Sequence, residues 1–260
     1  MLSYPFMQHA FLAGTLVAAM CGIIGVFVIA RSLSFIAHTF SHIGFAGASF
    51  SVLVGWNPFA GLLLFTGLSA LAIGRLGVRV FRRDASISVV LSLFLGLGIL
   101  FLSLANKQSG FVSSILFGSV VGISGADVVR MVVLSLAVLL LLIPGYRMLT
   151  FDSFDPAGAE AAGLPIRLLS IGFLLLLAIA VSEAMQIVGA LLVFTLLTIP
   201  AASARCLTNS VLRMLLYSAA LAILGVWVGL TLGYYTNWPV SFFITAFESL
   251  VYFLSLRFTR

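Results

Sequence analysis

Long apolar stretches almost free of charge run through this chain, and nine of them can be read, over residues 10–30, 33–55, 58–74, 87–105, 128–146, 166–182, 187–204, 214–235 and 240–256. Each approaches the roughly 17–25 residues that a helix needs to cross a hydrocarbon core about 30 Å thick. Two are imperfect, because the fifth has Arg130 near its start and the sixth is short and carries Arg167. Charged residues make up only 8% of the 260 positions, against 62% hydrophobic, where a soluble domain has roughly 25% charged. So few charges cannot cover a soluble surface. A soluble enzyme, a nucleic-acid-binding domain and a disordered chain are all excluded. The predicted fold is all-α: a polytopic transmembrane helix bundle forming one domain over residues 1–260. It has about nine spans, or eight if one candidate is re-entrant or two merge.

Basic residues give the bundle a direction, since Lys and Arg collect in cytoplasmic loops. With the N-terminus outside, Arg31, Arg75, Arg79, Arg82, Arg83, Arg147, Arg167, Arg205, Arg213, Arg257 and Arg260 fall on the inner side, leaving Lys107 and Arg130 outside. That places 11 of the 13 basic residues inside, and the C-terminus is cytoplasmic. The first nine residues hold no Lys or Arg, unlike a signal peptide, so the first run is expected to stay as a span. Trp56, Trp238, Tyr234 and Tyr235 fall at outer interfaces, where amphipathic rings settle. Residues 111–118 are apolar but too short to cross, and read as a surface or re-entrant helix. Cys21 and Cys206, the second placed in a short loop, have no metal-ligand or disulfide spacing and read as structural.

Ionisable groups inside a bilayer cost a few kcal/mol each and persist when they face a cavity or a partner. His38 and His42 are four apart on the second span, which puts them on one helix face about 5–6 Å apart. At about 1.5 Å per residue, His42 lies near the bilayer midplane. Two neutral imidazoles so placed can hold a transition metal. The same spacing also suits two packing histidines bonded to neighbouring Ser or backbone oxygens. Glu248, midway along the last span, must be protonated or paired, and serves either an ion path or a structural hydrogen bond. Glu183 and Gln186 flank a short turn between the sixth and seventh spans and read as solvated. On the inner side, Asp155 is an N-cap and Pro156 a first helical residue. Glu160 follows within an alanine-rich turn, and Gly163 with Pro165 ends the helix. A capped helix of about two turns is therefore expected near 155–164, either as a connector or as a face for a cytoplasmic partner.

Together these residues resemble the permease subunit of bacterial ATP-binding-cassette importers of zinc, manganese or iron, the ABC-3 family, over nearly the whole chain. Ser34 to Gly47, with Ser41-His42 followed by Ile43-Gly44, resembles the family's second-helix motif. Asp84-Ala85-Ser86-Ile87 resembles its inner-loop pattern, and Leu116-Phe117-Gly118 with Asp127 its outer segment. Ser153-Phe154-Asp155-Pro156 through Gly163-Leu164-Pro165 resembles the helix that docks on the ATPase. Thr198-Ile199-Pro200-Ala201-Ala202-Ser203-Ala204-Arg205 and Tyr234-Tyr235 with Pro239 match two further stretches.

The resemblance implies a multi-pass protein of the bacterial cell membrane that works as a homodimer. It implies cytoplasmic ATPase subunits and an external metal-binding protein as partners, with no cofactor of its own. It implies His42 in the metal path, and Asp155, Pro156, Glu160 and Gly163 in coupling to the ATPase. The chain has no Gly-x-x-x-x-Gly-Lys-Ser/Thr loop, so it is not expected to hydrolyse ATP. The family motif commonly has Asp four residues before the His, where this chain has His38. A nitrogen ligand there favours zinc over manganese. In a dimer two such pairs would give four imidazoles. The rival readings are a proton-coupled carrier using His38, His42 and Glu248, a membrane scaffold with no path, and a permease for a metal chelate.

Overall fold

A computed structural model describes residues 4–76, 84–105, 115–116, 118, 123–190 and 192–258. Among the described residues there are ten α-helices and a terminal 3-10 turn. The helices are α1 (Pro5–Ala30), α2 (Ser34–Val54), α3 (Pro58–Leu76), α4 (Asp84–Leu104), α5 (Gly125–Phe154), α6 (Pro156–Ala161), α7 (Ile166–Val188), α8 (Val193–Leu207), α9 (Val211–Thr236) and α10 (Val240–Ser255). Helices are what a lipid core demands, because each backbone N–H and C=O must be satisfied within its own segment. Six of them, α1, α3, α4, α5, α7 and α9, are long and apolar enough to cross a bilayer. The α2 helix has 21 residues but spends several on Ser, Thr and His, while α8 and α10 have 15 and 16. The molecule is thus an all-α polytopic membrane bundle with at least six long apolar spans.

Element boundaries follow backbone chemistry more closely than charge. The break expected at Glu183–Gln186 is not there: α7 runs on to Val188. Glu, Ala, Met and Gln all favour helix, so nothing at 183–186 stops one. The stop is Gly189, at φ +79°, a conformation open to glycine. Gly118, at φ +80°, packs back to back with it. A Cβ on Gly118 would come within 2.1 Å of the Ile187 carbonyl oxygen, and one on Gly189 within 2.3 Å of that of Leu116. The Ala190 N–H donates to the Ile115 carbonyl at 3.0 Å, so this segment seals the end of α7. Most of the expected helix at 111–118, and the basic residues Arg79, Arg82, Arg83 and Lys107, lie outside the described residues. Cys206, read as a loop residue, belongs to the end of α8.

The α1 helix runs through the bundle between α5, α7, α8 and α9. Its Gly and Ala residues permit close approach, as where the Ser218 hydroxyl of α9 donates to the Gly22 carbonyl at 2.6 Å. The α2 and α3 helices cross at Gly47 and Gly61, where a Cβ on Gly47 would lie 2.2 Å from the Gly61 carbonyl oxygen. Phe27, Phe40, Phe45 and Phe173 fill the core. Tyr4 and Tyr234 meet at one end of the bundle, ring centroids 6.4 Å apart. Arg31, Arg75 and Arg167 gather around one cleft elsewhere, with Asp152 and Glu160.

Candidate metal path

The α2 helix is wedged among α3, α4, α7 and α8, and this packing buries His42 to 5% exposure while His38 stays half-buried. The two rings stand edge to face, centroids 4.8 Å apart. Phe194 of α8 closes against His38 at 5.3 Å. Among the described residues neither Nδ1 atom has a hydrogen-bond partner, although both are buried. The Ser41 hydroxyl donates to the His38 backbone carbonyl at 2.7 Å rather than to either Nδ1. Two adjacent imidazoles with lone nitrogens are able to ligate a borderline-soft divalent metal.

No third protein ligand joins them: among the described residues no three His, Cys, Asp or Glu side chains are grouped to hold a metal ion. Glu248 is fully buried in α10, and among the described residues both its carboxyl oxygens are unpartnered. It lies against Gly225 of α9, where an added Cβ would be 2.4 Å from Oε1.

Sequence reasoning missed two polar groupings. The first surrounds Glu183, expected to be solvated but fully buried because α7 continues past it. Its Oε2 accepts from the Ser135 hydroxyl of α5 at 2.7 Å. One turn on, Gln186 Oε1 accepts from Arg130 at 2.7 Å, as does Asp127 Oδ1. The Arg130 guanidinium also covers the Phe59 ring at 4.2 Å. Asp127 forms a capping box with Ser124 at the start of α5. The signal available in the sequence was the helix-forming character of 183–186.

The second grouping is an ion pair between Arg31, at the α1–α2 corner, and Asp152 of α5. Arg31 Nε also donates to the Ser153 hydroxyl at 3.0 Å, and the guanidinium lies 5.1 Å from the Phe173 ring. Burial pulls the Arg31 pKa below the ordinary guanidinium value, against the opposing Asp152 charge. Nothing local in the sequence marks these residues as partners.

Asp155 follows directly on α5, and its carboxylate accepts from the Gly158 N–H at 2.9 Å, capping α6 with Pro156 in its first turn. Gly163, at φ +72°, follows the end of that helix. Pro156 and Glu160 line the cleft of about 860 Å³ that also contains Arg31, Arg75, Asp152 and Arg167. The expected capped helix is therefore present, beside the arginine-rich corner.

Residues 3–259 match the ABC 3 transport family. The chain is 31% identical to the Manganese transport system membrane protein MntC of Listeria innocua, over 99% of this chain and 92% of that protein. It is 30% identical to the Manganese import system permease protein ScaB of Streptococcus gordonii, over 97% and 91%. Its fold is similar to that in the structure of PsaBC from Streptococcus pneumoniae in complex with Fab, with a TM-score of 0.88, 29% identity, and coverage of 97% of this chain and 91% of that one.

Proposed function

The chain belongs to the ABC 3 transport family, and we propose that it works as the membrane permease subunit of an ATP-driven importer of a divalent transition metal, manganese, zinc or iron. It is a non-catalytic, multi-pass protein of a bacterial inner membrane. At the family level such permeases act with ATPase and solute-binding partners. Relatives named for manganese transport support the class of cargo.

The observation that carries the path is the buried imidazole pair on α2, with two Nδ1 atoms that have no hydrogen-bond partner among the described residues. Two ligands do not complete a coordination shell, and among the described residues no third is grouped with them. A second copy of the chain, presenting its own His38 and His42 across an axis, would supply four imidazoles. The whole chain, residues 1–260, then forms one permease domain of about nine spans with its N-terminus outside. That orientation is supported by the cleft gathering Arg31, Arg75 and Arg167, which becomes the cytoplasmic side. Capped α6, lining that cleft, is the element that meets the ATPase through Asp155, Pro156, Glu160 and Gly163. ATPase closure would push α6 and open the path to the other side.

The test is uptake of labelled zinc and manganese by proteoliposomes holding the full complex. His42→Ala abolishes uptake of both while the protein still purifies as a folded dimer. His38→Asp shifts preference from zinc towards manganese by about tenfold or more, because a carboxylate is a harder ligand. Unchanged uptake in His42→Ala removes the pair from the path.

A further inference from the structure

Arg31 and Asp152 are 121 positions apart in the chain, and each stands at the root of an element with a separate task. Arg31 ends α1 and precedes the α1–α2 corner. That corner is tight: Ser32 has φ +55° and the Leu33 N–H reaches back to the Val28 carbonyl at 2.8 Å. The α2 helix starts at Ser34. His38 then lies about one turn, roughly 6 Å, along α2 from Ser34. Asp152 and Ser153 form the last turn of α5, and α6 starts at Pro156 after the single residue Asp155. The Asp155 N–H donates to the Phe151 carbonyl at 2.8 Å, and Ala159 of α6 is wholly buried. The α6 helix is therefore tied stiffly to the end of α5.

A buried ion pair joins these two roots. Arg31 is 9% exposed and Asp152 8%. The guanidinium uses Nη2 on Asp152 and Nε on Ser153. The Ser153 hydroxyl is itself oriented by donating to the Leu149 carbonyl at 2.5 Å. A planar fork spread over two adjacent acceptors resists rotation in a way that a point charge does not. Phe173 of α7 supports it from the side. A surface ion pair would bend and exchange with water; this one is desolvated and braced.

We infer that the Arg31–Asp152–Ser153 junction is the strut that carries a displacement of α6 to α2, and so to His38 and His42. Its residues are positioning residues for transport: they touch neither the metal nor ATP. The inference rests on the reading that α6 meets the ATPase. The experiment separates the two. Reconstituted full complexes are compared for metal ions moved per ATP hydrolysed, in wild type, Asp152→Asn, Arg31→Lys, Ser153→Ala and, as control, Glu160→Arg in α6. Spin labels on α6 and α2 report whether the two helices move together when hydrolysis is trapped.

Asp152→Asn and Arg31→Lys lower the ratio about fivefold or more while hydrolysis continues, and α2 stays still as α6 moves. Ser153→Ala, the mildest change and the one retained if the charge variants do not fold, lowers it about twofold. The strut is overturned if Glu160→Arg lowers the ratio but the junction variants do not. It is equally overturned if uptake and hydrolysis fall in step with loss of folded protein. If Glu160→Arg also leaves the ratio unchanged, the docking reading and the strut fall together.

Discussion

Two buried glutamates show how much a single side chain's surroundings decide. Glu183 has a partner: Ser135 donates to one of its oxygens. Glu248 has none among the described residues, and its Oε1 lies against Gly225 of α9. An ionised carboxylate without a partner costs several kcal/mol in a low-dielectric interior, a cost that the neutral acid avoids. The amide of Gln matches that acid in size and charge. Glu248→Gln therefore leaves thermal stability within about 1 kcal/mol and metal uptake unchanged, whereas Glu183→Ala, stranding the Ser135 hydroxyl, loses about 1–3 kcal/mol. Melting curves of the purified protein and proteoliposome uptake read both. A tenfold fall in uptake for Glu248→Gln at unchanged stability would put Glu248 on the ion path. The sequence announced both glutamates by their cost in lipid. It did not tell a bonded carboxyl from an isolated one, because Ser135 and Gly225 come from other helices.

At the scale of elements, the position of α2 depends on how closely it approaches α3. At Gly47 and Gly61 the two backbones touch, with no room for a side chain on either. Gly47→Ala forces its Cβ onto a carbonyl oxygen that cannot swing away, so the helices must part. The expected cost is about 1–3 kcal/mol, seen as a lower melting temperature, with a drop in uptake because α2 carries the histidines. A melting temperature equal to wild type would mean that the crossing is looser than described. Gly47 was legible as a small residue of a span, and small residues signal packing. Its partner was not, since a crossing point depends on the angle at which two helices meet. The turn chemistry of α6 was readable in full, because Asp155, Pro156 and Gly163 act on their own backbone neighbours. The end of α7 is less legible: the charge at Glu183 suggests a turn there, whereas the helix runs to Val188 and Gly189 stops it.

Across the whole molecule, His38 and His42 meet as a pair, and among the described residues no third His, Cys, Asp or Glu is grouped with them to hold a metal ion. If two copies share one site, zinc titrated into the purified complex saturates near one ion per two chains, and His42→Ala removes that binding. One ion per chain would place the remaining ligands within each copy. The membrane character, the all-α class, the α2 histidine face and the α6 cap were determined by the sequence alone. Each follows from composition or from contacts a few residues apart, and chain geometry fixes such contacts before any folding occurs. The burial of Glu183, the isolation of Glu248, the Gly47–Gly61 crossing and the Arg31–Asp152 junction were decided only by tertiary structure. Those contacts join residues from separate helices, and their existence depends on which helix faces meet, a choice made by packing the whole bundle at once.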